Sequence, residues 1–333
     1  MKRAIHATLL LVFFFSLAGG TILLPSAFCQ DVNVHITPPV VRAVTGPATA
    51  TGDNHSKPFR KDVNLILVPA TVTDSMDRLV TGLDKDNFAI YQGKEKESVQ
   101  ALWSEDTPVS VGIILDISGS MNDKILKARQ AVTEFLRTAN PRDEFFLITF
   151  SDRPQLTTRF SRKIENIEDR LILTQPKGRT ALLDAVYLAL SAMKDARNSR
   201  KALLIISDGG DNHSRYTEKE VKSLVEEADV QIFAMGLFDA VATTPEERLG
   251  PELLSDITEI TGGQSFTVSN LDELPDVAMK IGIALRNEYI IAYKPATKPH
   301  DGKWHKIRVK LLPPKGLPPL HVSAKEGFYA PSD

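Results

Sequence analysis

Asp116, Ser118 and Ser120 stand at alternate positions in Asp116-Ile117-Ser118-Gly119-Ser120-Met121. Farther along, Gly178-Arg179-Thr180 offers a third hydroxyl. Ser207-Asp208-Gly209-Gly210-Asp211 offers a second carboxylate, followed by glycines. Two carboxylates and three hydroxyls are hard oxygen donors. They suit Mg²⁺, which takes six oxygens at about 2.0–2.1 Å and keeps some of its waters. Mn²⁺ and Ca²⁺ accept the same donors, so Mg²⁺ is the default within a class. A plainer reading stands beside this one. Ser118, Ser120 and Thr180 each precede a helical stretch and could cap it, and Asp208 before two glycines could be a turn. Taken together, the five residues favour the metal.

The elements that must bring them together follow a strand–helix rhythm. Val109 to Leu115 is a continuous apolar strand that runs into Asp116. Asp123 to Arg137 puts Ile125, Leu126, Ala128, Val132, Phe135 and Leu136 on one helical face. Phe145–Phe150, Ala202–Ser207 and Val230–Gly236 read as further strands. Ala181–Met193, Thr217–Ala228 and Leu271–Arg286 read as helices. Apolar strands alternating with amphipathic helices predict an α/β fold: a doubly wound, mostly parallel sheet with helices on both faces. Ligands bind such sheets at the carboxyl ends of the strands, where Asp116 and Asp208 stand.

Both flanks read as β structure. Val63–Thr73, Leu79-Val80 and Phe88–Tyr91 are strand-like on one side; Tyr289–Tyr293, Trp304–Leu311 and Leu320–Ala324 on the other. Neither flank has enough strands to bury a core alone. The expected organisation is a β-sandwich built from 60–104 and 295–331, with the α/β domain at 105–294 inserted between them.

Lys2 and Arg3 precede the apolar run Leu9 to Leu17, and small residues follow before Cys29. Residues 1–29 therefore read as a secretory signal with a cut after Cys29, which would take the net charge from −2 to −4. An uncleaved anchor over Ile5–Phe28 is the alternative, and it alone would tie the chain to a membrane. Bulky Phe28 argues against lipidation of Cys29. Residues 30–59, rich in Pro, Thr, Ala and Gly, read as a flexible leader.

Over 333 residues, 42% are apolar and 25% charged, with Lys+Arg 40 against Asp+Glu 42. That balance excludes a disordered or multi-span membrane chain and leaves no basic excess for nucleic acid. Cys29 is the sole cysteine, so a thiolate zinc site is excluded. The seven histidines show no His-Glu-x-x-His spacing, and there is no Gly-x-Ser-x-Gly elbow. An aspartyl-phosphate enzyme would want an Asp where Ser118 stands. His213 is the one histidine near the rim. An oxygen-only site without a positioned base fits binding better than catalysis. A metal-dependent hydrolase, and a module whose metal only staples loops, are the alternatives.

Asp116-x-Ser118-x-Ser120, then Thr180, then Asp208-Gly209 resemble the metal-ion-dependent adhesion site of von Willebrand factor A domains, over about 108–287. More closely, Gly178–Ala185 and Ile206–Asn212 resemble the exported VWFA-related proteins of acidobacteria. The resemblance implies that Ser118, Ser120 and Thr180 bind the metal directly. Asp116 and Asp208 would act largely through water, leaving a coordination position for a partner's Glu or Asp. It implies a protein or extracellular matrix ligand that offers an acidic side chain, and a periplasmic or secreted location. Arg179, Asp211 and Asn212 are candidates for the ligand surface. Asp184 is expected to face its helix start, and Thr243-Thr244-Pro245-Glu246-Glu247 reads as an N-capped short helix near the rim.

Overall fold

The computed structural model describes residues 65–104, 106–208, 210–238, 244–296, 301–314, 316 and 318–330. The expected signal, Cys29, the leader, Gly209 and Thr243 lie outside them. In chain order the described elements are β1 (Ile66–Asp74), β2 (Phe88–Gln92), β3 (Glu95–Trp103), β4 (Val109–Asp116), α1 (Ile125–Arg137), β5 (Glu144–Phe150), β6 (Pro154–Ser161) and α2 (Glu165–Ile172). There follow α3 (Leu182–Ala192), β7 (Arg200–Ser207), α4 (Glu218–Glu227), β8 (Gln231–Gly236), α5 (Pro245–Glu259), β9 (Ser265–Thr267), α6 (Leu274–Arg286), β10 (Tyr289–Lys294), β11 (Trp304–Leu311), β12 (Leu320–Ala324) and β13 (Gly327–Tyr329). Among the described residues, no helix is long and apolar enough to cross a membrane.

Every residue of β4, β5 and β8 is buried, which continuous apolar strands require when both faces are covered. They lie in a six-stranded sheet of order β6-β5-β4-β7-β8-β9. All its pairs are parallel except β5 with β6. On one face Val111, Ile113 and Leu115 pack with Phe135, Leu136, Ile281 and Leu285 of α1 and α6. On the other, Ile114, Phe146 and Ile205 pack with side chains of α3, α4 and α5. Gly112 makes room for this second layer, because a Cβ there would lie 2.2 Å from the Phe146 ring. Sequence order reverses at β4, which has β5 on one side and β7 on the other. Such a switch point opens a crevice at the carboxyl ends of the two strands.

The flanking segments build a second, antiparallel sheet of order β12-β1-β10-β3-β2-β11-β13. Leu320 and Val322, from one end of that order, share a cluster with Ile307 and Phe328 from the other, around buried Val68, Ile90, Ile291 and Tyr293. The sheet curls to enclose this core. β10 runs inside it, between β1 and β3, so the α/β unit passes into the antiparallel sheet at Asn287–Glu288 rather than near residue 294. At that junction Glu288, just before β10, is ion-paired with Arg200 at the start of β7, and Arg200 also donates to Leu285 O at 2.9 Å.

Several elements have weak sequence signals. β3 opens on Glu95-Lys96-Glu97-Ser98, and β6 and β13 are partly exposed edge pieces. α2 is only eight residues long. α5 carries Gly250-Pro251, a helix-breaking pair, yet forms because Thr244 accepts from Glu247 N and Pro245 occupies the first turn.

Candidate metal-binding site

β4 and β7 pair in register up to Leu115↔Ile206, so Asp116 and Ser207 leave the sheet side by side. Ser207 donates to Asp116 Oδ2 at 2.6 Å, and Ser118 N donates to Asp116 Oδ1 at 2.8 Å. The loop after β4 is sewn to the 177–180 loop by backbone bonds, Lys177 N→Ile117 O and Gly119 N→Gly178 O. Gly178 sits at φ +83 and packs against the Asp152 carboxylate, which accepts from Arg179 N. The loop after β7 is tied in turn to Thr180, whose carbonyl accepts from Asn212 N and His213 N. All three motif segments therefore converge on one rim at the switch point.

The hydroxyls do not cap helices. Lys124 occupies the cap position of α1 and Ala181 that of α3, and neither helix start receives a side-chain cap bond at that position. Ser118 precedes the 3-10 turn Gly119–Met121 without capping it. Instead Ser118 Oγ and Ser120 Oγ lie 3.0 Å apart. Adjacent oxygens in an octahedral Mg²⁺ shell are separated by about 2.9 Å, given bonds of about 2.0–2.1 Å. The donor set and the serine spacing fit such an ion. Ser118 and Thr180 are buried and Ser120 is open to solvent.

The carboxylates fit a cation as well. Asp116 has no exposed surface. Burial, and then the charge of Asp208, push its carboxyl up to about 7, against the downward pull of its hydrogen bonds from Ser207 and Ser118. A divalent ion would relieve that repulsion. Among the described residues, no group of three or more His, Cys, Asp or Glu side chains that could hold a metal gathers anywhere, this rim included; the donors here are two carboxylates and three hydroxyls.

The candidate ligand-surface residues divide. Arg179 is exposed, with Nη1 3.3 Å from His213 Nδ1. Asp211 turns inward: its Oδ2 accepts from Leu183 N at 2.8 Å and from the Ser214 hydroxyl at 2.6 Å, serving the first turn of α3. Asn212 Oδ1 accepts from Thr180 N at 3.0 Å. Asp184 is buried in the first turn of α3, where its Oδ1 accepts from Arg215 N and Tyr216 N. Thr244 caps a fifteen-residue helix rather than a short one.

Lys124 and Ser207 belong to the rim without having been singled out from the sequence. Lys124 Nζ lies 3.6 Å from Asp208 Oδ2, with both side chains buried. Its signal was periodic: Lys124 falls in register with Ala128 and Ala131, on the inward face of α1.

Residues 111–210 match the family model of the von Willebrand factor type A domain. The chain thus contains a von Willebrand factor type A domain. It is 27% identical over 135 residues to human inter-alpha-trypsin inhibitor heavy chain H4; the match takes in 36% of this chain but only 14% of that one. Among solved structures it is similar to a von Willebrand factor type A protein of Catenulispora acidiphila (TM-score 0.48, 12% identity, 82% of this chain and 75% of that one). It is also similar to the conserved hypothetical protein BatB of Bacteroides thetaiotaomicron (TM-score 0.44, 19% identity, 54% of this chain and all of that one).

Proposed function

We propose that this chain is an exported binding module. In this reading it grips a protein or extracellular matrix ligand through a divalent cation, Mg²⁺ by default. The hydroxyls of Ser118, Ser120 and Thr180 would hold the ion directly, with Asp116 and Asp208 acting largely through water. Weakly engaged carboxylates leave the cation electrophilic, so a Glu or Asp of the partner can complete its shell. The observation that carries this reading is the state of the three hydroxyls. None of them caps a helix, and around Thr180 the amides of Thr180, Leu183 and Asp184 are satisfied instead by Asn212, Asp211 and Ser214. Export rests on the charged start and apolar run within residues 1–29.

Calorimetric titration of Mg²⁺ and Mn²⁺ into the metal-stripped chain tests the site. One saturable event, absent from a still-folded Ser118→Ala, Ser120→Ala variant, is expected. Capture of a partner should then be reversed by EDTA. Partner binding that survives metal removal would overturn the reading. Fractionation and N-terminal sequencing of the expressed protein test export and the cut after Cys29.

A further inference from the structure

Lys124 has no part in the reading above, yet it is among the most unusual side chains at the rim. It stands eight residues after Asp116, and its side chain is 6% exposed. Its backbone is fixed on both sides, with Lys124 N donating to Met121 O and Lys124 O accepting from Ala128 N. It therefore points along the inward face of α1, and its ammonium ends 3.6 Å from Asp208 Oδ2. Burying an ammonium is costly unless an opposite charge meets it; here that charge is one of the two carboxylates of the candidate metal site.

We propose that Lys124 is a resident counter-ion that sets the metal affinity of this rim. It neutralises Asp208 in the metal-free protein and opposes entry of a divalent cation. The inference rests on the metal reading above. Its physical basis is competition for one carboxylate. An ammonium this close to Asp208 weakens that group's attraction for a second cation, and it repels the incoming ion directly in a poorly solvated site. The same charge has a consequence for the loaded site. With both carboxylates ionised, the rim and Lys124 together carry one net negative charge, so a divalent ion leaves one net positive charge. Without Lys124 the loaded site would be neutral. The residual positive charge favours a carboxylate ligand, so Lys124 exchanges tight metal binding for attraction of the partner's acid.

The test is calorimetric titration of Mn²⁺ into the metal-stripped full chain and its Lys124→Met variant, which keeps the length of the stem and removes the charge. Thermal unfolding of both is followed in EDTA and in saturating Mn²⁺. The variant should bind Mn²⁺ about tenfold tighter or more. It should unfold at a lower temperature than the parent in EDTA, and gain more from Mn²⁺. Equal or weaker Mn²⁺ affinity in a folded variant overturns the proposal and leaves the metal site standing. No saturable binding in either protein overturns the metal reading, and this inference with it. Lys124→Gln is read the same way if the methionine variant fails to fold. If neither folds even with Mn²⁺, Lys124 is a structural ion pair and the proposal falls.

Discussion

The Ser207 hydroxyl donates to Asp116 Oδ2 at 2.6 Å, joining the carboxyl ends of β7 and β4. This bond sets the orientation of a carboxylate that has no contact with solvent. It also locks the two loops that leave the switch point in opposite directions. The rim is thus braced by protein hydrogen bonds before any ion enters, which lowers the ordering cost of binding one.

That buried carboxyl makes the metal-free protein sensitive to pH. The folded-state pKa of Asp116 is raised from 3.8 to about 7 by burial and by Asp208. The folded state therefore holds the proton more tightly than the unfolded chain does. Its stabilising contribution is full below about pH 4 and is lost as pH rises through 7, amounting to a few kcal/mol at most. In EDTA, the unfolding temperature should fall between pH 5 and 8. Asp116→Asn should flatten that fall, and Mn²⁺ should oppose it in the parent chain. Melting curves across pH, with and without metal, check all three.

Asp211 and Arg179 should separate stability from recognition. Asp211→Ala removes the acceptor for Leu183 N and the Ser214 hydroxyl, and loss of such a helix-start acceptor costs about 1 kcal/mol. Arg179 is exposed, so Arg179→Ala should change stability by less than about 0.5 kcal/mol. Urea denaturation of the two variants gives the comparison. An Asp211→Ala protein as stable as the parent would show that the α3 start is satisfied by other means.

Arg200 and Glu288 should matter to folding and not to the metal. Glu288 is buried and its carboxyl is pushed above its usual range by burial, although Arg200 pulls it down. Removing one member of a buried pair costs about 3–5 kcal/mol, whereas replacing both with apolar groups can be nearly neutral. Arg200→Met should be strongly destabilised, and Arg200→Met with Glu288→Leu should recover much of the loss. Arg200 begins β7 and Ser207 ends it, a separation of roughly 23 Å at about 3.3 Å per residue. Mn²⁺ affinity should therefore be unchanged in the folded double variant, as titration calorimetry would show.

The sequence by itself determined the doubly wound sheet and brought Asp116, Ser118, Ser120, Thr180 and Asp208 to its rim, but not Lys124 or Ser207. Uninterrupted apolar runs such as Val109–Leu115 have no stable place except between two helix layers. The spacing Asp116-x-Ser118-x-Ser120 follows such a run directly. It also showed that the β flanks must join, because neither could bury a core alone. The tertiary structure decided what depends on partners distant in the chain. Whether Thr180 caps α3 could not be settled locally, because the groups that satisfy the amides there, Asp211 and Ser214, arrive from the loop after β7. The inward turn of Asp211, the burial of Lys124 against Asp208 and the passage of β10 into the antiparallel sheet are likewise pairings across dozens of residues. Periodicity reports which face of an element is apolar. Which charge meets which is fixed only when the elements pack.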